Sequence, residues 1–452
     1  MSPSSAVVCV DVGSTFTKAA LVDETGALLA TASHRTTLDS DVLDGVDACR
    51  ASLTEAFPEA AHAEVLACSS AGGGLRIAVV GNEELVTAEA GRRVALSSGG
   101  KVVAVLAGGL DASRLDELRS SRPDVLLLVG GTDGGHTVGL VADAYVLSRA
   151  PWTGPVVVAG DVEAQGQVSV LLGDSTPHVL ADNVVPRIGV LAADSARRAI
   201  REMFLEHVIG GKGLSSRADF TAMVRGATPD LVLTGVEVLA AESGSDVVVI
   251  DIGGATTDVH SVVRLDPEDA GLSREVVATT PVTRTVEGDL GMRWSALTTW
   301  DAGELPEDLR PAAVRRSEDP SLLPATDAER HEDELIAAAA ATLAVRRHAG
   351  RSRVVVGPDG RVVERSGKDL REVALLVGSG GVLRHADAEA TRRILAGVTG
   401  VSPEGWQLPE RPRVVVDRDY VLAAVGLLSE SRPRAAAALA RSLSTCEETH
   451  VI

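Results

Sequence analysis

Aromatic side chains are scarce in this chain, at 2 % of 452 residues, with four Phe, four Trp and two Tyr. So few rings cannot build a platform for stacking bases, and a formal charge of −20, from 63 acidic against 43 basic residues, repels a phosphate backbone. Nucleic acid is therefore not an expected partner. Lysine is rare among the cations, limited to Lys18, Lys101, Lys212 and Lys368. Cysteine is sparse too. Cys9, Cys49, Cys68 and Cys446 stand far apart with no C-x-x-C spacing, which offers no zinc site and fits a reducing compartment. No apolar run approaches the roughly 18 residues of a membrane span, and no basic stretch followed by a long apolar core opens the sequence. These absences leave an acidic cytoplasmic protein, without membrane or nucleic-acid partners, as the expectation.

What is present is a large apolar fraction, 45 %, and 45 glycines, over a length that suits about three domains. Short valine-rich runs alternate with longer helical patterns, the signature of α/β layers with buried strands. Residues 6–11 (AVVCVD) and 18–22 read as strands, 41–57 as a helix and 64–68 as a strand. From residue 76 the alternation becomes regular, with apolar bursts at 76–81, 101–107, 124–129, 156–159 and 178–180. That stretch predicts a small doubly wound, flavodoxin-like domain inserted into a larger one. Further on, 195–208 and 334–348 read as helices, and 310–333, rich in charge and proline, as a loop or subdomain edge. A last strand is expected at 373–377 and a closing helix at 420–428. The resulting division is 1–75 for the first half of a core, 76–186 for the insert, 187–245 for a helical connection and 246–452 for the second half, with a subdomain at about 285–370.

One segment repeats. VVCVDVGSTFTKAAL (7–21) aligns with VVVIDIGGATTDVHS (247–261), placing Asp11 over Asp251, Gly13 over Gly253 and Thr17 over Thr257. Each copy is a strand ending in Asp-x-Gly, a turn of small and hydroxyl residues, and a second strand. Gly13 and Ser14, or Gly253 and Gly254, let backbone N–H groups approach an anion closely. The hydroxyls of Ser14, Thr15, Thr17, Thr256 and Thr257 add possible donors. Asp11 and Asp251 close their strands, where carboxylates suit a hydrated Mg²⁺ that keeps most of its waters. Lys18 adds a point charge for a terminal phosphate. A single hairpin of this kind is common in ordinary β-turns; two copies, followed by LLVGSGGVL (375–383), are not. In that third segment Gly378, Ser379, Gly380 and Gly381 form a turn able to pass beneath a flat nucleoside.

In order and spacing, DVGSTFTK (11–18), DIGGATTD (251–258) and VGSGGVL (377–383) resemble the phosphate-one, phosphate-two and adenosine segments of the actin, sugar kinase and heat-shock chaperone (ASKHA) ATPase superfamily. The resemblance implies two ribonuclease-H-like halves closing over Mg·ATP. More narrowly, SSAGGGLR (69–76), LLVGGTDGG (127–135), RTVEGDLGMR (284–293) and VLAAVGLL (421–428) resemble the glutamate mutase accessory family, MutL/GlmL-like, across nearly the whole chain. That family implies an ATP-dependent accessory or reactivating chaperone for an adenosylcobalamin-dependent carbon-skeleton mutase. The insert, which a core ATPase does not need, would then be a module for docking the partner.

Other residues have competing readings. Glu287 could polarise the attacking water or complete a Mg²⁺ shell with Asp289, and both could equally form a solvated acidic turn. TDGGH (132–136) reads as a loop over a small-molecule crevice, with cobalt ligation by His136 a remote alternative. SSAGGG (69–74) reads as a joint. Arg197–Arg201 and Arg346–Arg353 read as solvated helix faces. A small-molecule kinase of the same fold and a non-enzymatic actin-like scaffold remain the rival functions. Neither an acceptor pocket nor a catalytic base for a kinase is legible.

Overall fold

The computed structural model describes residues 6–135, 137–150, 152–217, 219–264, 280–357 and 360–445. His136 and Cys446 lie outside them. The chain divides into two compact units. The first comprises the described residues of Met1–Gly235, Val276–Thr280 and Ala423–Ala436, the second those of Val236–Glu275, Pro281–Leu422 and Ala437–Ile452.

The first unit opens with β1 (Val7–Val12), β2 (Phe16–Val22), β3 (Leu28–Arg35) and β4 (Glu64–Ser69). It continues with β5 (Arg76–Gly81), β6 (Lys101–Ala107), β7 (Val125–Leu128), β8 (Val156–Val158) and β9 (His178–Leu180), and β10 (Val224–Ala227) returns to the first sheet. That sheet runs β10-β4-β1-β2-β3, antiparallel through β1, β2 and β3 and parallel through β1, β4 and β10. Its valine-rich β1 is buried at every position but Asp11, as a central strand covered on both faces must be, while β3, at the edge, is partly or fully exposed throughout.

β5 to β9 form the second sheet, all parallel, in the order β6-β5-β7-β8-β9. Counted along the chain this is 2-1-3-4-5, the flavodoxin-like order. The predicted bursts coincide with these strands to within two residues. Gly72, Gly73 and Gly74 join the two sheets, all three with positive φ, which any side chain would strain. Lys212 fastens this joint, donating to the Gly74 carbonyl at 3.0 Å and to Asp124 at 2.7 Å.

In the second unit, β11 (Val247–Ile252), β12 (Thr257–Val262) and β13 (Val282–Glu287) form an antiparallel meander, β14 (Arg351–Gly357) and β15 (Gly360–Ser366) a separate hairpin, and β16 (Leu375–Ser379) and β17 (Arg413–Val416) add in parallel beside β11. The order β13-β12-β11-β16-β17 repeats the connectivity of the first sheet strand for strand. The repeat legible over fifteen residues therefore extends to a whole sheet, and the α/β class holds.

One expectation fails here. Residues 310–333 are not a loop: Arg310–Glu318 is helical, and the alanine-rich helix begins earlier than expected, spanning Asp327–His348 behind a Thr326–Glu329 capping box. Two of the charges that suggested solvent, Arg316 and Asp333, are internal, while most of the others are exposed. Arg316 has no exposed surface and donates to Asp333 at 2.6 Å and Glu332 at 2.9 Å, while Arg293 donates to the same Asp333. β17 and the helix Pro433–Ser444 lie beyond the expected last strand and the expected closing helix, respectively.

Candidate functional site

In the first unit, β1 and β2 place Asp11 directly across from Lys18. The turn between them closes with the Gly13 N–H donating to the Phe16 carbonyl at 3.1 Å, and a Cβ on Gly13 would stand 2.7 Å from that oxygen. Ser14 and Thr15 are exposed at the tip, but Thr17 is fully buried. Its hydroxyl lies 3.2 Å from that of Thr36, which in turn donates to the Gly13 carbonyl at 2.8 Å. Thr17 thus braces the turn from beneath. The partly exposed Asp11 accepts a 2.6 Å hydrogen bond from Thr228, the first residue of the helix Thr228–Ser243. No local pattern links the two, since 217 residues separate them.

The second unit builds the same turn. Gly253 N–H donates to the Thr256 carbonyl at 2.9 Å, and a Cβ on Gly253 would meet that oxygen at 2.8 Å. Here Asp251 faces Asp258 instead of a lysine, and Arg284 on β13 supplies the cation, donating to Asp258 at 3.0 Å. Thr257 is fully buried, as Thr17 is, whereas Thr256 is partly exposed and donates to Asp258 at 3.3 Å. The segment after β13 straps the turn in place: Met292 and Arg293 N–H groups donate to the Gly253 and Gly254 carbonyls at 3.0 and 2.8 Å, and the Ser295 hydroxyl donates to the Ala255 carbonyl at 2.6 Å.

Glu287 and Asp289 are not a free acidic turn. Arg347, on the exposed face of its helix as expected, donates to both at 2.7 Å. Burial pushes the Glu287 carboxyl up, against the pull of Arg347, while the Arg347 hydrogen bonds draw Asp289 down. Arg201, in the other basic patch, likewise donates to buried Asp230 at 2.5 Å.

The glycine turn after β16 comes to the β11–β12 hairpin, with buried Ser379 in register beside Asp251. Its glycines differ in what they do. Gly380 has φ +100°, and a Cβ there would stand 2.2 Å from the Ile252 carbonyl oxygen; a Cβ on Gly378 would meet Leu383 at 2.8 Å. Gly381 alone of these is exposed with nothing within 4 Å. Beside them lies Asp417, which sequence reasoning missed. Its N–H donates to the Gly378 carbonyl at 2.8 Å, and its carboxylate accepts from Val421 and Leu422 N–H at 2.9 and 3.2 Å. Burial raises its pKa to about 6, the helix N–H groups oppose this, and the neighbouring Asp251 carboxylate adds to the rise. A signal was available, because RVVVD at 413–417 is a third valine run closing on Asp.

Comparison with known proteins places these features in a family. The family model described as MutL protein matches residues 7–443. The Protein MutL of Clostridium tetanomorphum is 35 % identical over 447 residues, which span 95 % of this chain and 96 % of that one. The chain belongs to the MutL protein family. Among solved structures, a nucleotide-free acetone carboxylase aligns at 15 % identity and TM-score 0.43, covering 94 % of this chain and 70 % of that one. Gluconate kinase from Lactobacillus acidophilus aligns at 14 % and 0.33, covering 94 % and 89 %. Component A of the (R)-2-hydroxyglutaryl-CoA dehydratase from Acidaminococcus fermentans aligns at 10 % and 0.30, covering 98 % and 100 %.

Proposed function

We propose that this chain binds and hydrolyses Mg·ATP and thereby serves as an accessory or reactivating chaperone for an adenosylcobalamin-dependent mutase of the glutamate mutase type. One observation carries the ATPase half of this reading: two hairpins, 240 residues apart, close with the same Gly-to-carbonyl hydrogen bond and each hold an aspartate at the strand end. Membership of the MutL family supports the client half.

In this reading the backbone N–H groups of Ser14, Thr15, Gly254 and Thr256 donate to phosphate oxygens, Gly13 and Gly253 close the turns that present them, and Lys18 is the placed cation. Thr17 and Thr257 act from within, holding the turns. Gly378, Ser379, Gly380 and Gly381 take the nucleoside side, with Gly381 the position open to it. Asp11 and Asp251 would hold Mg²⁺. Among the described residues no three His, Cys, Asp or Glu side chains converge as a metal cage, so an ion here would be held by one or two carboxylates and water, as Mg²⁺ commonly is beside phosphates. When bound, it would neutralise phosphate charge. Glu287, partly buried with a raised carboxyl, is the group proposed to orient the attacking water.

Hydrolysis by the purified chain, with and without a glutamate mutase, tests the proposal. Asp11→Ala is expected to abolish phosphate release while leaving the circular dichroism spectrum unchanged. Unaltered turnover in that variant would defeat the assignment of Asp11. Stimulation by a metabolite panel, with no response to the mutase, would favour a kinase.

A further inference from the structure

The flavodoxin-like sheet raises a separate question. Sheets of this order bind ligands at the carboxyl ends of the strands, where the chain reverses direction between the first and third strands, here β5 and β7. In this chain that crevice is filled. A Cβ on Gly130 would lie 1.9 Å from the Asn82 side chain and one on Gly139 2.2 Å from it, so the Asn82 amide occupies the space between the two loops. Its Nδ2 donates to buried Asp143 at 3.4 Å. The small-molecule crevice expected beneath residues 132–136, of which His136 lies outside the described residues, therefore holds the protein's own Asn82 side chain.

The rim of the same edge has a different character. Leu85, Val138, Val162 and Ile188 are 70 %, 67 %, 47 % and 75 % exposed, and each follows a different strand, β5, β7, β8 and β9 respectively. The loops that carry them are tied together. Asp133 N–H donates to the Pro186 carbonyl at 3.1 Å, and the Asp133 carboxylate accepts from Val162 N–H at 3.4 Å and from Asn183 at 2.9 Å. Asn82 links the β5 loop to the same assembly. Four exposed aliphatics on one braced edge are more than the scattered single residues of an ordinary surface. Glu83, Glu84, Asp133 and Glu163 are exposed among them, with Arg187 as an opposing cation.

We infer that the carboxyl edge of this sheet is a docking surface for a protein segment with aliphatic side chains flanked by arginine or lysine, and that this segment belongs to the client mutase. The inference rests on the chaperone reading above for the identity of the client. Charge selects the occupant: a second copy of this chain, at −20, would set one acidic rim against another, whereas a basic-flanked segment neutralises it. The filled crevice disfavours a small molecule and leaves the rim as the recognition element.

The test is binding of the full-length chain to a purified, cofactor-loaded glutamate mutase, by surface plasmon resonance at low and high salt. Two variants are compared, Leu85→Lys/Ile188→Lys for the apolar contact and Glu84→Lys/Glu163→Lys for the rim. Both leave the phosphate hairpins untouched, so basal ATP hydrolysis reports that the fold is intact. Each variant is expected to weaken binding at least tenfold, and the wild type to bind more weakly as salt rises. Unchanged affinity in both variants, with the wild type binding, overturns the docking surface and leaves the chaperone reading standing. A wild-type chain that binds no mutase overturns both. Wild-type self-association lost in the variants assigns the edge to a second copy and overturns the proposal.

Discussion

At the scale of single residues, the first aspartate depends on a neighbour supplied by a distant helix. Thr228 donates to Asp11 at 2.6 Å, a hydrogen bond to a charged acceptor, the kind worth about 1.5–3 kcal/mol. If Asp11 serves hydrolysis, losing its orientation should cost roughly tenfold or more in rate. Thr228→Val is expected to show that loss, and Thr228→Ser, which keeps the hydroxyl, to restore it. Steady-state phosphate release on the two variants checks this, and equal rates would remove Thr228 from the site.

A second residue-scale prediction concerns Asp143, which is 2 % exposed and whose pKa burial raises to about 6. The folded carboxyl then holds its proton more tightly than the unfolded chain does. Its favourable contribution is complete below the unfolded value of about 4 and is lost as pH rises through about 6. Asp143→Asn removes the charged form. Its Tm should therefore gain on the wild type as pH rises from about 4.5 to about 7.5, across that titration. A Tm difference that stays flat over the same range would contradict the account.

At the scale of elements, the glycines of the turn after β16, proposed for the nucleoside, give a paired test. Gly380, at φ +100° and packed against the Ile252 carbonyl, leaves no room for a methyl group, whereas Gly381 faces open space. Gly380→Ala is expected to lower Tm by several degrees, reflecting a backbone penalty of about 1–3 kcal/mol plus the clash, and Gly381→Ala to leave it unchanged. Thermal melts of both variants decide it. Gly291 makes a similar case in the strap, where a Cβ would stand 2.7 Å from the Ala255 backbone. Gly291→Ala should displace the β11–β12 turn and, if that turn binds phosphate as proposed, weaken nucleotide binding, measurable by calorimetric titration.

The elements also mark how far the sequence could be read. Buried strands such as β1 and β11 were legible because continuous valine runs have few alternatives to a strand covered on both faces. The paired hairpins were legible because their turns require glycine at one position. Residues 310–333 were misread as a loop because charge and proline also suit short helices, and because Arg316 and Asp333, which look solvated in one dimension, pair with each other and are buried in three. Thr228 was invisible for a related reason, since it reaches Asp11 through the parallel addition of β4 and β10, which no local pattern records. Arg284 stood within a quoted motif, but its partner Asp258 lies on the adjacent strand.

At the scale of the whole molecule, a charge of −20 gives no help in binding a polyanion, so attraction must be local. The two hairpins proposed for phosphate place their cations differently, one with Lys18 opposite its aspartate and the other with Arg284 one strand away. No helix among the described residues is long and apolar enough to cross a membrane. The acidic balance that works against phosphate also shapes the proposed docking edge, where it favours a basic partner. The central claim is that the paired hairpins hydrolyse ATP in response to a mutase client. Phosphate release from wild type and Asp11→Ala, each with and without an adenosylcobalamin-dependent glutamate mutase carrying inactivated cobalamin, tests it most directly. The account predicts wild-type hydrolysis that rises with the mutase and none in Asp11→Ala. Equal turnover in the two proteins, or wild-type hydrolysis indifferent to the mutase, would contradict it.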